Sequence, residues 1–238
     1  IIYVTTTGAG RQDGSSWSNA VGDLQYAMDV AAGYTIPASV WVAAGTYSPS
    51  RSYIVQPNVA VYGSFVGNEP YTYDLSQRDF DNNATILDGG NAIRVMDKTC
   101  PFTANNIGNP ALPFRNGESL WDGFTVQNGY CYDYYEGREN RYGAGYLLDN
   151  TTLLHCTFTQ NNRHALYAKN CVLSYCQFNH NTGNGLVGEQ VTIDHSTAIG
   201  NSEKGMKLSN NSDIKYSSLN ENGYGGITLA NSKMTECT

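Results

Sequence analysis

The chain has 238 residues, a net charge of −7 and only 15% charged residues. Such an acidic, charge-poor composition argues against nucleic acid and anionic membranes as partners, because both require clustered lysine and arginine. The sequence contains no apolar stretch of about 18 residues, so no membrane-inserted segment is predicted. Its 25 glycines and 18 tyrosines, against 7 phenylalanines, are typical of an all-β protein with many turns.

The N-terminal part combines one helix with several short strands. A helix is predicted from Ser18, as N-cap, to Ala32, because one face carries the apolar residues Leu24, Ala27, Met28 and Ala31. Strands are predicted at Val40–Val42, Val59–Phe65, Ala84–Leu87 and Ile93–Val95, with a turn at Gly45–Tyr47. This order indicates a helix that caps the first coil of a stacked repeat structure.

The C-terminal half is a repeat with a period of 20 or 21 residues. One apolar column consists of Leu153, Leu173, Ile193, Ile214 and Met234. Three other columns contain Phe158, Phe178, Ala198 and Leu219; Leu166, Leu186, Met206 and Ile227; and Ala168, Gly188, Leu208 and Leu229. Within each repeat the apolar positions alternate at i and i+2, which is the periodicity of strands and excludes helices.

Stacking these coils about 4.8 Å apart would close a continuous core that no single coil can form. The frame of leucine-rich repeats is absent. The predicted fold class is therefore all-β: a right-handed parallel β-helix with coils of about 20 residues and an N-terminal capping helix. We expect one domain over 1–238, divided into a cap with the first coil (1–50), irregular early coils (51–119) and regular repeats (120–238). Because the last coil is incomplete, we also expect the natural protein to continue.

An asparagine recurs once per coil, where the chain turns. We expect these side chains to form a hydrogen-bonded ladder between coils, because an amide donates and accepts at once. The predicted members are Asn128, Asn161, Asn181, Asn201 and Asn222. A neighbouring column contains Cys156, Cys176 and Cys237, and it is interpreted as buried packing that permits but does not require a Cys156–Cys176 disulfide. No CxxC pair is present, which argues against a zinc ribbon.

Several N-terminal segments resemble the opening of surface β-helix proteins of Gram-negative bacteria, within the pectin-lyase-like superfamily. The matching segments are Trp17–Ala20, Asp23–Gln25, Val40–Tyr47, Val59–Phe65, Gly67–Glu69, Arg78-Asp79 and Thr85–Gly90. The later L-x-x-C-x-F-x-x-N lines resemble the repeats of polymorphic outer-membrane proteins. The resemblance implies export and a β-helix, but it implies no particular reaction, because this family includes adhesin-like proteins, lyases and glycoside hydrolases.

The first candidate site is a tyrosine-rich insertion over 130–142. Its aromatic rings suit sugar stacking and its arginines suit hydroxyl or uronate binding, and loops on a rigid scaffold commonly carry function. The predicted substrate-binding residues are Tyr130, Tyr132, Tyr134, Tyr135, Arg138, Arg141 and Tyr142. The alternative is a self-packed loop that covers one flank of the helix.

The second candidate site is a polar column just past the asparagine ladder. A lyase must neutralise the uronate carboxylate and remove the C5 proton, so Lys204 and Arg163 are candidates for the first task and His164 or Tyr224 for the second. The alternative is a solvated turn. No cofactor is evident: Ca²⁺ is compatible with such chemistry, but no acidic cluster supports it, and no metal ligands are predicted.

Ile193-Asp194-His195 resembles a short element of pectate lyases. His195, however, shares its column with His155, Tyr175, Tyr216 and Glu236, so this position is interpreted as a structural one that accepts large polar residues.

Three functions remain open from the sequence. The favoured one is a non-catalytic protein, secreted or on the surface of a Gram-negative bacterium, that binds polysaccharide or a surface glycan. The second is a polysaccharide lyase or glycoside hydrolase acting on an acidic polysaccharide. The third is the structural stalk of a surface adhesin.

Overall fold

The computed structural model describes residues 1–36, 38–98, 118–131, 142–146 and 150–238. Its α-helix runs over Leu24–Ala32, and short 3-10 helices lie at Trp17–Asn19 and Leu75–Gln77. The predicted apolar face of the α-helix is buried, as expected. The predicted start at Ser18 was wrong, because the Asp23 carboxylate accepts a hydrogen bond from the backbone N–H of Tyr26 and caps the helix there.

The described strands form three parallel sheets. The first sheet contains Ile2–Val4, Ala38–Ala43, Val59–Phe65, Ser119–Asp122, Thr151–Leu154, Val172–Ser174, Thr192–Asp194, Asp213–Lys215 and Lys233–Thr235. The second sheet contains Gly45–Tyr47, Thr85–Asp88, Phe124–Gln127, Thr157–Thr159, Gln177–Asn179 and Thr197–Ile199. The third sheet contains Tyr53–Ile54, Met96–Asp97, Tyr142–Tyr146, His164–Lys169, Leu186–Glu189, Met206–Ser209 and Ile227–Ala230.

Each regular coil passes through the first, second and third sheets in turn and then returns to the first. Residues that share a predicted apolar column pair with each other on neighbouring strands. Leu153 pairs with Leu173 in the first sheet, Phe158 with Phe178 in the second and Leu166 with Leu186 in the third. These six side chains point inward and are buried, whereas Met234, at the end of the first column, is 47% exposed. The Phe158 and Phe178 rings stack with centroids 5.2 Å apart. The sequence repeat therefore predicted both the architecture and the register.

The irregular early coils depart from the prediction in two places. Gly45–Tyr47 is a strand and not a turn, because it pairs with Thr85–Leu87 in the second sheet. Ile93–Val95 precedes the strand, which lies at Met96–Asp97 and pairs with Gly145 and Tyr146 in the third sheet. Both strands are too short to show the alternation that identifies the later ones.

An asparagine ladder runs through Asn161, Asn181, Asn201 and Asn222. The Nδ2 atom of each member donates to the Oδ1 atom of the next, over 3.0, 2.9 and 2.9 Å. Asn128 was wrongly assigned to this ladder. It lies one position before the ladder and donates to the Asp88 carboxylate, and the backbone N–H of the following glycine meets Asn161 Oδ1 instead.

The cysteine column packs inside the coils. Cys156 and Cys176 are buried and free, and burial raises the pKa of the Cys156 thiol to about 12, so this thiol stays protonated and unreactive near neutral pH. Among the described residues, no helix is long and apolar enough to cross a lipid bilayer.

Candidate functional site

The polar column proposed for lyase chemistry forms a second ladder of hydrogen bonds. His164 Nδ1 accepts from the backbone N–H of Asn184 over 2.9 Å, and Asn184 Oδ1 accepts from the backbone N–H of Lys204 over 3.0 Å. The Lys204 ammonium donates to the carbonyl of Tyr224, whose side chain is mostly exposed. Arg163 is joined to the next coil through its backbone N–H, which donates to Thr182. These contacts favour a structural role, and catalysis at this column stays a prediction.

The tyrosine-rich insertion is described only at its two ends. Tyr132, Tyr134, Tyr135, Arg138 and Arg141 lie outside the described residues. Tyr130 is half-buried, and its backbone N–H donates to the carbonyl of Ile93.

Tyr142 joins a tyrosine cluster on the outer face of the third sheet. Its ring centroid lies 5.5 Å from that of Tyr146 and 5.4 Å from that of Tyr167. The Arg94 guanidinium lies 5.0 Å from the centre of the Tyr146 ring. Burial, helped by the nearby Glu189 carboxylate, raises the pKa of Tyr167 well above its ordinary value. This part of the insertion packs against the scaffold, and sugar binding by the insertion stays a prediction.

Aromatic side chains from successive coils stack at the corner between the first and second sheets. We call this set the ring column, and its members are Phe80, His155, Tyr175, His195 and Tyr216. Successive ring centroids lie 4.5, 5.3, 5.2 and 5.1 Å apart, with interplanar angles of 30° or less. Because neighbouring rings cover each other's faces, the column presents ring edges outward, with one polar tip from each histidine and tyrosine.

The corner itself explains why these rings stack. His155, Tyr175, His195 and Tyr216 all have positive φ, between 44° and 55°. A left-handed residue turns the chain sharply from one sheet into the next and directs its side chain away from the core. Since the coils are in register, each ring lies directly over the ring of the coil before it. The same geometry leaves Tyr175 and Tyr216 about half exposed, at 52% and 49%.

A buried ion pair fixes the first histidine of the column. Asp122 accepts from His155 Nδ1 over 2.8 Å through Oδ1 and binds the Arg78 guanidinium through Oδ2. The side chains of Arg78 and Asp122 are only 2% and 7% exposed, whereas that of His155 is 35% exposed. Since a carboxylate only accepts hydrogen bonds, Nδ1 of His155 carries a proton, and in the neutral form of the ring the lone pair is on Nε2. The histidine is therefore held in one tautomer.

A cleft of about 620 Å³, which we call the ring cleft, is lined by four rings of the column: Phe80, His155, Tyr175 and His195. Its floor is a row of uncharged polar side chains on the second sheet, one from each coil: Thr125, Thr157, Gln177 and Thr197. The segment that carries Arg78, Asp79, Phe80 and Asp81 forms the wall at the N-terminal end. The cleft thus offers a polar floor, aromatic edges and the only histidine in the described coils that is bound to a buried carboxylate.

The described residues contain no group of three or more histidine, cysteine or acidic side chains close enough to hold a metal ion. Asp79 and Asp81 lie at the rim of the ring cleft, but the Asp79 carboxylate is bonded to the backbone N–H groups of Asp81 and Asn82.

In the sequence, the repeated positions of the ring column are interpreted as structural. The sequence did not indicate that Arg78, Phe80 and Asp122 belong to the same site. Asp122 and His155 are 33 residues apart, and Arg78 lies in an irregular segment that the repeat frame does not cover. The signal available in the sequence was two histidines and two tyrosines in one outward column.

The chain is similar to known proteins in its fold. No family model matches the chain, and no curated protein sequence matches it. The solved structure of pectate lyase Pel9A superposes with a TM-score of 0.63 at 14% identity, over 100% of this chain and 62% of that chain. A rhamnogalacturonan lyase superposes with a TM-score of 0.58 at 13% identity, over 96% of this chain and 61% of that chain.

The chain spans about three fifths of the length of both enzymes. At such low identity the likeness shows the shared fold and nothing of the reaction. Together with the three parallel sheets and the capping helix, it shows that the chain has the right-handed parallel β-helix fold.

Proposed function

We propose that this chain is an extracellular polysaccharide-binding protein whose ligand lies along the ring cleft. The observation that carries the proposal is the ring column, which repeats once per coil beside an uncharged polar floor. A polysaccharide is itself a repeating polymer, so a chain laid parallel to the helix axis meets an equivalent set of hydroxyl and ring-nitrogen groups at every coil. Concave sites with a few convergent polar groups are the usual form of ligand sites.

The fold supports the ligand class in this proposal, because two enzymes that share it are a pectate lyase and a rhamnogalacturonan lyase. The resemblance of the N-terminal segments to bacterial surface proteins supports a secreted or cell-surface location in a Gram-negative bacterium. Binding without catalysis is the function we favour, because the stacked ring edges and the polar floor repeat from coil to coil and form a recognition surface along the cleft.

The test removes rings from the column without straining the corner. Tyr175→Asn and Tyr216→Asn each delete a ring, and asparagine tolerates positive φ better than most residues. We expect Tyr175→Asn, which removes a ring that lines the cleft, to bind a retained polysaccharide about tenfold more weakly, the loss typical of a central aromatic contact. Tyr216→Asn removes the ring next to the cleft and should weaken binding less. Affinity electrophoresis against a panel of neutral and acidic polysaccharides measures this change.

A matched control is Tyr26→Asn, which removes an exposed tyrosine (56%) from the capping helix, far along the chain from the cleft. It should leave retention unchanged. Equal binding by the wild type, Tyr175→Asn and Tyr216→Asn would contradict the proposal.

Catalysis is the second candidate, and the Asp122–His155 pair is the specific observation that favours it. The free Nε2 atom suits His155 as a general base, and Asp122 would stabilise the imidazolium that forms. In an elimination, His155 would take the C5 proton of a uronate, the C4–O bond would break, and the leaving oxygen would take a proton from water. In hydrolysis, His155 would take a proton from the water that attacks C1, the C1–O glycosidic bond would break, and the leaving oxygen would take a proton from a second water.

The two chemistries have different products. Incubation with the same panel would give unsaturated, ultraviolet-absorbing ends from a lyase and new reducing ends without absorbance from a hydrolase. We expect His155→Gln to lower either activity by about 10²–10⁴-fold, well beyond the roughly tenfold loss of binding expected when one ring is removed. A panel without any product formation would leave binding as the function.

A further inference from the structure

We infer that the ring cleft selects uncharged polysaccharides over polyuronates, an inference that rests on the proposed function and names its ligand class. The charges around the cleft carry the argument. Within the described part of the chain, the cleft wall contains one lysine or arginine, Arg78, and two exposed carboxylates, Asp79 and Asp81.

Arg78 is not available to a ligand carboxylate. Its Nε donates to the carbonyl of Leu75, its Nη1 to the carbonyls of Gly63 and Asp122, and its Nη2 to the Asp122 carboxylate. The rings of Tyr62, Phe65 and Phe80 surround the guanidinium at 5.1–5.7 Å. With a side-chain exposure of 2%, the charge is enclosed and already neutralised by Asp122.

The Asp79 carboxylate at the rim keeps its charge. Hydrogen bonds from the side chain and backbone of Asn82 and from the backbone of Asp81 lower the pKa of Asp79 below its ordinary value, so this carboxylate is charged across the neutral range. Asp81 lies beside it and is also exposed. At the other end of the cleft, His195 Nδ1 lies 2.9 Å from Asp194, which places another carboxylate beside the column.

A ligand in the cleft therefore meets a negative electrostatic potential at the rim and an uncharged floor. Each glycosyl carboxylate of a polyuronate would be repelled, whereas the hydroxyl groups of a neutral polysaccharide can bond to the threonines, the glutamine and the ring tips. A uronate-binding site of this fold would need a free cation in the same place. The charges around this cleft therefore differ from those of a site for an acidic ligand.

The experiment compares hydroxyethyl cellulose and neutral galactan with polygalacturonate and alginate, each in EDTA and in CaCl₂. We expect the wild type to be retained by at least one neutral polymer and about tenfold more weakly by both polyuronates in either buffer. Asp79→Asn/Asp81→Asn should raise polyuronate affinity about fivefold at low salt, should lose this gain at high salt, and should leave neutral binding within about twofold.

The matched control is Glu118→Gln/Glu221→Gln, which removes two exposed carboxylates that do not line the cleft and should change neither affinity. Polyuronate retention that exceeds neutral retention, with or without Ca²⁺, would overturn the selectivity while leaving polysaccharide binding intact. Retention by none of the four polymers would overturn binding itself, together with its selectivity.

Discussion

Replacing Arg78 by methionine should lower the free energy of unfolding by about 3–5 kcal/mol, because the change leaves Asp122 buried without its counter-charge. Methionine keeps much of the packing volume among Tyr62, Phe65 and Phe80, so the loss reports the missing guanidinium. Its bonds to the carbonyls of Gly63 and Leu75 are lost in the same change. Urea unfolding followed by tryptophan fluorescence measures the difference.

Two further variants separate charge from packing. Arg78→Met/Asp122→Asn removes both charges and should recover more than half of the lost stability, because no buried charge is left unpaired. Arg11→Met removes an exposed pair with Asp13, whose side chains are 74% and 42% exposed, and should change the free energy by no more than about 0.5 kcal/mol. A loss below about 1 kcal/mol for Arg78→Met would show that the pair is solvated in solution.

The same ion pair connects stability to the site. Arg78 holds one oxygen of Asp122, and the other oxygen holds His155 in one tautomer. His155 is the first ring of the column that belongs to a regular coil, and these buried side chains orient it. Ligand affinity is then sensitive to a residue that no ligand touches. Sites that are held by buried supporting contacts lose less freedom on binding.

The sequence predicted the regular coils well because their physics is periodic. Every coil places an apolar residue at Leu153 and its equivalents, and a stack of such coils has a single register that keeps all of them inside. The helix start at Ser18 failed for a local reason: the sequence offers two possible caps, Ser18 and Asp23, and only the tertiary fold shows that the chain from Trp17 to Asn19 forms a separate 3-10 turn.

The site could be predicted only in part. The outward column of His155, Tyr175, His195 and Tyr216 is visible in the repeat, but its conformation at the corner is not, and without positive φ the stacking of its rings cannot be deduced. Arg78 and Asp122 come from the irregular early coils, where insertions remove the period. Their meeting depends on how those coils close, which is a property of the fold and not of any local pattern.

The asparagine ladder should be the most sensitive polar feature of the regular coils. Asn181 is 1% exposed, and its side chain makes four hydrogen bonds, two as acceptor and two as donor. Asn181→Ala removes the acceptor of both the backbone N–H and the Nδ2 of Asn161, and it leaves the carbonyl of Phe158 without its amide donor. Since each buried polar group left unpaired costs about 1–3 kcal/mol, we expect the free energy of unfolding to fall by about 3 kcal/mol or more.

The expected loss of stability depends on where an asparagine lies along the ladder. Asn222 is the last described member and is half-buried, so Asn222→Ala exposes the orphaned groups of Asn201 to water and should cost about 1 kcal/mol. Asn220→Ala, at an exposed position that bonds only the nearby Ser218 through its side-chain amide, should cost no more than about 0.5 kcal/mol. Urea unfolding of the three variants, followed by far-ultraviolet circular dichroism, tests the order. Equal losses for Asn181→Ala and Asn222→Ala would mean that burial does not set the strength of the ladder, and that each asparagine contributes mainly through the conformation of its own turn.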